Sequence, residues 1–143
     1  MNKKHEQIFQ VAELAQVAQA IMNGCQHTAV ITLSGTLGAG KTTLAIEMLR
    51  QWGITDEMQS PTYTYMQAYK NKEGQQFYHF DLYRLQDKEA FLFAGFDEFL
   101  YQKNSIVLIE WPDIIQDLLK NDVCNIQLTY VDDATRKISW NYK

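Results

Sequence analysis

Ala29-Val30-Ile31-Thr32-Leu33-Ser34-Gly35-Thr36-Leu37-Gly38-Ala39-Gly40-Lys41-Thr42 decides how the chain is read. Residues 29–33 form a short apolar run rich in β-branched side chains, the texture of a strand buried on both faces. Residues 35–42 then spell G-x-x-x-x-G-K-T, after which Leu44-Ala45-Ile46 and Met48-Leu49 recur at helical spacing until Gly53. A strand, a glycine-rich turn and a helix in this order form an anion cradle. Gly35 lets the chain leave the strand sharply, and Gly38 and Gly40 tolerate positive φ and carry no Cβ to obstruct a phosphate. Successive N–H groups of the loop, Ala39 and Thr43 included, can turn inward around an anion, and the helix adds its unpaired N–H groups. In this arrangement Lys41 would reach the β- and γ-phosphates of a nucleotide, and the Thr42 hydroxyl would bind Mg²⁺.

Working outward, residues 9–22 carry Val11, Leu14, Ala15, Ala18, Ile21 and Met22 at helical intervals, with Asn23-Gly24 as the stop, so an amphipathic helix is expected there. Tyr63, Tyr65 and Tyr69 fall on one alternating face. After a turn at residues 71–74 comes Phe77-Tyr78-His79-Phe80, which predicts an antiparallel strand pair. The aromatic strand is read either as a docking edge or as ordinary sheet packing. Asp87 caps an expected helix to about residue 101. Residues 106–109 are a second fully apolar strand, and Pro112 suits the first turn of a short helix. Alternation through Ile126, Leu128 and Tyr130, then Ile138, Trp140 and Tyr142, with Asp132-Asp133 between, predicts a terminal hairpin. The expectation is one α/β domain over residues 1–143: a P-loop NTPase-like sheet with buried central strands, antiparallel edge strands and flanking helices.

Composition narrows the function. The chain has 143 residues, with 13 Lys+Arg against 17 Asp+Glu and a net charge of −4, which is not the basic footprint of a protein that grips nucleic acid unaided. Two cysteines in no ligand pattern argue against a disulfide scaffold or a zinc site and suit a reducing cytoplasm. No apolar run is long enough to span a membrane, and Met1-Asn2-Lys3-Lys4-His5-Glu6 does not lead into a signal-peptide core.

A triphosphate loop needs a second Mg²⁺ contact and a group that places the attacking water. Strand C-termini are the natural source of both. Asp81 closes the Phe77–Phe80 run, and Glu110 closes the strand at residues 105–109. His79 is read either as an aid to proton transfer or as a buried packing residue, and Trp111 either as a neighbour of the nucleotide or as a packing anchor. Arg84 is read as a charge stabiliser, a partner contact or one half of a structural salt bridge.

Together, the Leu37-Gly38-Ala39-Gly40-Lys41-Thr42-Thr43 loop, Ser60-Pro61-Thr62-Tyr63-Thr64, His79-Phe80-Asp81-Leu82-Tyr83-Arg84-Leu85 and Ile109-Glu110-Trp111-Pro112 resemble the TsaE family of small bacterial ATPases, in the family's order and spacing from about residue 8 to residue 140. The resemblance implies a Mg²⁺-dependent ATPase, weak alone, that supports turnover of TsaB and TsaD as they build threonylcarbamoyladenosine in tRNA, with the tRNA held by the partners. It implies Thr42 and Glu110 as Mg²⁺ ligands, Thr62 in a switch-like segment near the γ-phosphate, Asp81 as an acid important for activity, and Arg136 near the nucleotide. Two positions depart from the family pattern: Thr36 stands where the family usually has Asp, and Val11 where it often has Thr. The competing readings are a nucleotide-gated binding module, whose ATP occupancy alone controls docking, and a small P-loop kinase. The kinase is disfavoured because the chain has only Arg50, Arg84 and Arg136 to clamp an acceptor. A GTPase is disfavoured because Asn71-Lys72-Glu73-Gly74 lacks the acid of a guanine-reading motif.

Overall fold

A computed structural model describes residues 3–143; Met1 and Asn2, the start of the segment read above against a signal peptide, lie outside the described residues. Seven strands form one mixed sheet: β1 (Lys4–Gln10), β2 (Val30–Ser34), β3 (Met66–Lys70), β4 (Gln76–Asp81), β5 (Ser105–Glu110), β6 (Val123–Asp132) and β7 (Thr135–Tyr142), in the order β1-β7-β6-β2-β5-β4-β3. The four central strands, β6, β2, β5 and β4, run parallel, while β3, β7 and β1 add antiparallel edges. Buried apolar runs at the centre and antiparallel edges are what the pattern of Val30–Leu33 and Ile106–Ile109 requires, because a parallel strand must be covered on both faces.

Helices α1 (Leu14–Met22) and α2 (Lys41–Gln51) cover one face, where Ile21, Leu44, Met48 and Leu49 meet Ile31, Leu33, Phe77 and Leu108. The other face of β2, β5 and β4 is covered by α3 (Lys88–Phe93) and short 3-10 turns, with Phe91 and Ile115 packed on Val30, Phe80, Val107 and Ile109. Cys25 and Cys124 are both buried free thiols. Among the described residues no helix is long and apolar enough to cross a membrane.

Three elements differ from their sequence readings. The helix expected at residues 9–22 begins only at Leu14; Phe9 and Gln10 belong to β1, and Val11–Glu13 is a 3-10 turn. An edge strand needs little apolar alternation, and β1 has little. It is held by pairing with β7, by buried Phe9 and by His5 stacked on Trp140 at 5.1 Å. The aromatic strand through Tyr63, Tyr65 and Tyr69 does not form as one element. The Tyr65 N–H donates to the Pro61 carbonyl at 2.8 Å, and Tyr65 sits at φ 66°, so the chain turns before β3. Tyr63 is therefore exposed while Tyr69 is buried, which removes the single aromatic face. Asp87 does cap α3, accepting from the Ala90 N–H at 2.9 Å, but Gly95 at φ 78° ends the helix well before residue 101.

The exit from β2 depends on Gly35. Its φ is 146°, and a Cβ built there would lie 2.3 Å from the Leu128 carbonyl oxygen of β6. Backbone cannot retreat from such a contact without parting β2 from β6. Gly35→Ala is expected to destabilise the protein by about 2–4 kcal/mol in urea unfolding, with near-wild-type stability excluding this close approach.

Candidate active site

Register brings the site together. Leu33 of β2 pairs with Glu110 of β5, and Asp81 of β4 pairs with the same Glu110, so the loop after β2 and both predicted acids lie along one carboxyl edge of the sheet. A cleft of about 540 Å³ opens there, lined by Leu37, Gly38, Gly40, Lys41, Thr42, Thr43, Thr62, Asp81, Tyr83, Arg84, Glu110, Trp111 and Arg136.

Its floor is the glycine-rich loop. Gly38 and Gly40 adopt φ 81° and 102°, and a Cβ at either would meet nothing within 4 Å, so the space above them is open. Lys41 is folded back on the loop, donating from Nζ to the Gly35 carbonyl at 2.7 Å and the Thr36 carbonyl at 2.9 Å, beneath the Trp111 ring at 4.2 Å. Burial pushes the Lys41 ammonium below the ordinary lysine range, while nearby Glu110 and Asp81 pull it back up. Trp111 holds this place with its backbone at φ 58°, a conformation costly for a bulky residue and fixed between Glu110 and Pro112.

Thr42 donates from Oγ1 to both oxygens of Glu110, at 2.7 and 2.8 Å. This pairs a hydroxyl and a carboxylate, both hard oxygen donors, on the cleft floor. Among the described residues no group of three or more His, Cys, Asp or Glu gathers to hold a metal by itself. Such a pair suits Mg²⁺, which takes one or two protein oxygens and completes its shell with water and phosphate.

Across the cleft, Asp81 accepts from the Tyr83 N–H at 3.0 Å through Oδ1 and from the Thr62 hydroxyl at 3.3 Å through Oδ2. Ser60 and Thr62 hydroxyls lie 2.6 Å apart. The segment at residues 60–65 is thus tied to the end of β4 by a long hydrogen bond and by the Asp81 N–H donating to the Tyr65 carbonyl at 3.0 Å.

The remaining sequence candidates are distributed unevenly. Arg136 donates from Nε to the Ala39 carbonyl at 3.1 Å and stands between the cleft and a smaller pocket of about 70 Å³ lined by Phe9, Val11, Leu14, Ala39, Gly40, Thr43, Leu128 and Arg136 itself. Gly35 and Ala39 do not line the main cleft: Gly35 shapes the loop from behind, and Ala39 faces the smaller pocket. Arg84 pairs with no carboxylate among the described residues; its guanidinium lies over the Tyr63 ring at 4.9 Å, in place of a structural salt bridge. His79 is absent from the cleft wall and lies behind Glu110. Sequence reasoning did not single out Leu37 or Tyr83. Tyr83 packs on Trp111 at 4.9 Å; the signals for it were its place in the His79–Leu85 segment and among the aromatic residues around Asp81.

Residues 8–138 match the model of the family described as "Threonylcarbamoyl adenosine biosynthesis protein TsaE". The chain is 43% identical over 105 residues to the tRNA threonylcarbamoyladenosine biosynthesis protein TsaE of Haemophilus influenzae, a match covering 73% of this chain and 65% of that protein, so it spans just under two thirds of that relative. It is 33% identical to the Rickettsia felis protein of the same name, covering 89% and 73% of the two chains. The crystal structure of Bacillus subtilis YdiB superposes with a TM-score of 0.75 at 26% identity, covering 99% of this chain and 87% of that one. The chain belongs to the TsaE family, whose members act in the biosynthesis of tRNA threonylcarbamoyladenosine.

Proposed function

We propose that the cleft binds ATP with Mg²⁺ and hydrolyses it, as a cytoplasmic ATPase subunit supporting the TsaB–TsaD assembly that forms threonylcarbamoyladenosine in tRNA. The observation that carries this reading is the open, Cβ-free space above Gly38 and Gly40, set between Lys41 and the Thr42–Glu110 pair. Glycines there cost chain entropy and fill no space, so their use is to let backbone N–H groups approach an anion.

In this P-loop NTPase-like reading the loop amides and Lys41 hold the phosphates, and Lys41 exchanges the Gly35 and Thr36 carbonyls for phosphate oxygens. Thr42 and Glu110 would hold Mg²⁺, which would supply positive charge to offset that of the phosphates. Arg136 flanks the nucleotide. Asp81, released from the long Thr62 hydrogen bond, orients or deprotonates the attacking water, while Thr62 reports the γ-phosphate. Arg84 and Trp111 border the phosphates.

The partner dependence is supported by the rim. Leu37, 67% exposed, and exposed Tyr83 line the cleft, and Tyr63, 81% exposed, lies against Arg84, so apolar and aromatic side chains border the charged floor. A partner seated there would exclude water from the reacting groups. One observation favours the second reading, a nucleotide-gated binding module: both Asp81 oxygens are already engaged, so the acid is serving as a tie between segments.

Lys41→Ala is expected to weaken ADP binding roughly 10- to 100-fold in calorimetry, the worth of a charge-assisted contact. Unchanged affinity would remove the cleft from consideration. Asp81→Asn preserves the Tyr83 tie and separates the two readings: as a catalytic acid its loss should lower steady-state ATP turnover by about 10²–10⁴ with binding retained. If turnover persists while nucleotide-dependent docking is lost, the module is correct. Size-exclusion chromatography with TsaB and TsaD should show co-elution that depends on ATP and Mg²⁺; no association in any nucleotide state would exclude those partners.

A further inference from the structure

His79 is an imidazole with no part in the function proposed above. It lies on the α2 side of β4 with Phe77 and is 0% exposed. It therefore does not border the cleft itself, and its one polar contact with the cleft runs through Glu110. Simple packing does not account for it. Its Nε2 lies 2.7 Å from Glu110 Oε2, and its Nδ1 is buried without a hydrogen-bond partner. A leucine or phenylalanine would fill that space with no orphaned nitrogen. Glu110, itself only 2% exposed, receives the benefit.

The hydrogen-bond pattern around that carboxylate is asymmetric. An ionised carboxylate only accepts, so the Nε2 hydrogen points at Oε2, which also receives the Thr42 hydroxyl at 2.8 Å. Oε1 receives the Thr42 hydroxyl alone, at 2.7 Å, and keeps the spare acceptor capacity. One oxygen is held by both the imidazole and the Thr42 hydroxyl, and the other by the hydroxyl alone.

We propose that His79 is a positioning residue: its Nε2–H fixes the rotation of the Glu110 carboxylate so that Oε1 is presented, beside Thr42, to a divalent cation. The inference rests on the reading of the cleft as a Mg²⁺–nucleotide site. Mg²⁺ demands near-octahedral geometry at short distances, so the orientation of the Glu110 carboxylate beside Thr42 bears directly on its affinity. Outer-shell partners of this kind change metal affinity about 10- to 100-fold when lost.

Two substitutions separate positioning from packing. The amide nitrogen of His79→Gln reaches the place of Nε2 and can still donate to Glu110, whereas that of His79→Asn reaches only the place of Nδ1. The measurement is the Mg²⁺ concentration that half-saturates the metal-dependent step of ADP binding, repeated with Mn²⁺ by electron paramagnetic resonance and with ADP plus EDTA as the metal-free control. His79→Asn is expected to raise the metal midpoint by about tenfold, and His79→Gln to restore it to within about twofold, with metal-free ADP binding equal in all three proteins. Equal midpoints for Asn and wild type, or equal shifts for Asn and Gln, would overturn the proposal. Nitrogen-15 spectra of the wild-type protein give a readout independent of any variant's folding. The His79 Nε2 resonance should move when Mg²⁺ is added to the ADP complex, and an unmoved resonance would equally overturn it. Failure of the underlying site reading looks different: wild-type ADP binding would then be indifferent to Mg²⁺ and to Lys41→Ala.

Discussion

The Thr42 hydroxyl, shared between the two Glu110 oxygens, joins the first turn of α2 to the end of β5. Everything at the carboxyl edge of the sheet is arranged around this bond. Leu33 and Glu110 are register partners, and the Trp111 N–H donates to the Leu33 carbonyl at 3.2 Å, so the ladder continues one residue beyond the acid. The Leu82 N–H donates to the Glu110 carbonyl at 3.1 Å, which brings the turn after β4 against the same point. Three chain segments distant in sequence are thereby clamped by backbone, and their side chains are delivered to one cleft. A parallel sheet does this naturally, because all its strands end on the same side.

The parts of this arrangement legible in the sequence are those fixed by local rules. Gly35, Gly38 and Gly40 announce positive φ, Val30–Leu33 and Ile106–Ile109 announce buried strands, and Asp81 and Glu110 stand at strand ends by simple counting. What stayed hidden depends on tertiary partners. β1 has the sequence Lys4-His5-Glu6-Gln7-Ile8-Phe9-Gln10, whose strand character comes from β7 and from Trp140 beneath His5. The turn at residues 62–65 looks like a strand because its tyrosines alternate, yet the Tyr65–Pro61 bond decides otherwise. The division of labour within the loop was hidden as well. Gly35 and Ala39 belong to the same motif as Gly38 and Gly40, but whether each faces the open cleft or the protein interior is set by β6 and by Arg136. The pairing of His79 with Glu110 required the β4–β5 register, which no spacing within either strand reveals.

The cleft must also carry charge at low solvent exposure. Lys41 is the most constrained case: burial disfavours its ammonium, and the opposing fields of Glu110 and Asp81 offset part of that cost. The Gly35 and Thr36 carbonyls supply direct hydrogen bonds, and the Trp111 face supplies a cation–π contact that needs no further charge. Those carbonyls are dipoles where a phosphate is a full anion. An anion entering above Gly38 and Gly40 therefore offers Lys41 a stronger partner than the loop does, at the cost of breaking two short bonds. The loop thus holds its own lysine in a satisfied but replaceable state. That combination keeps a buried cation compatible with folding and leaves it available to an anion, and it depends on Trp111 accepting a strained backbone at the junction between Glu110 and Pro112.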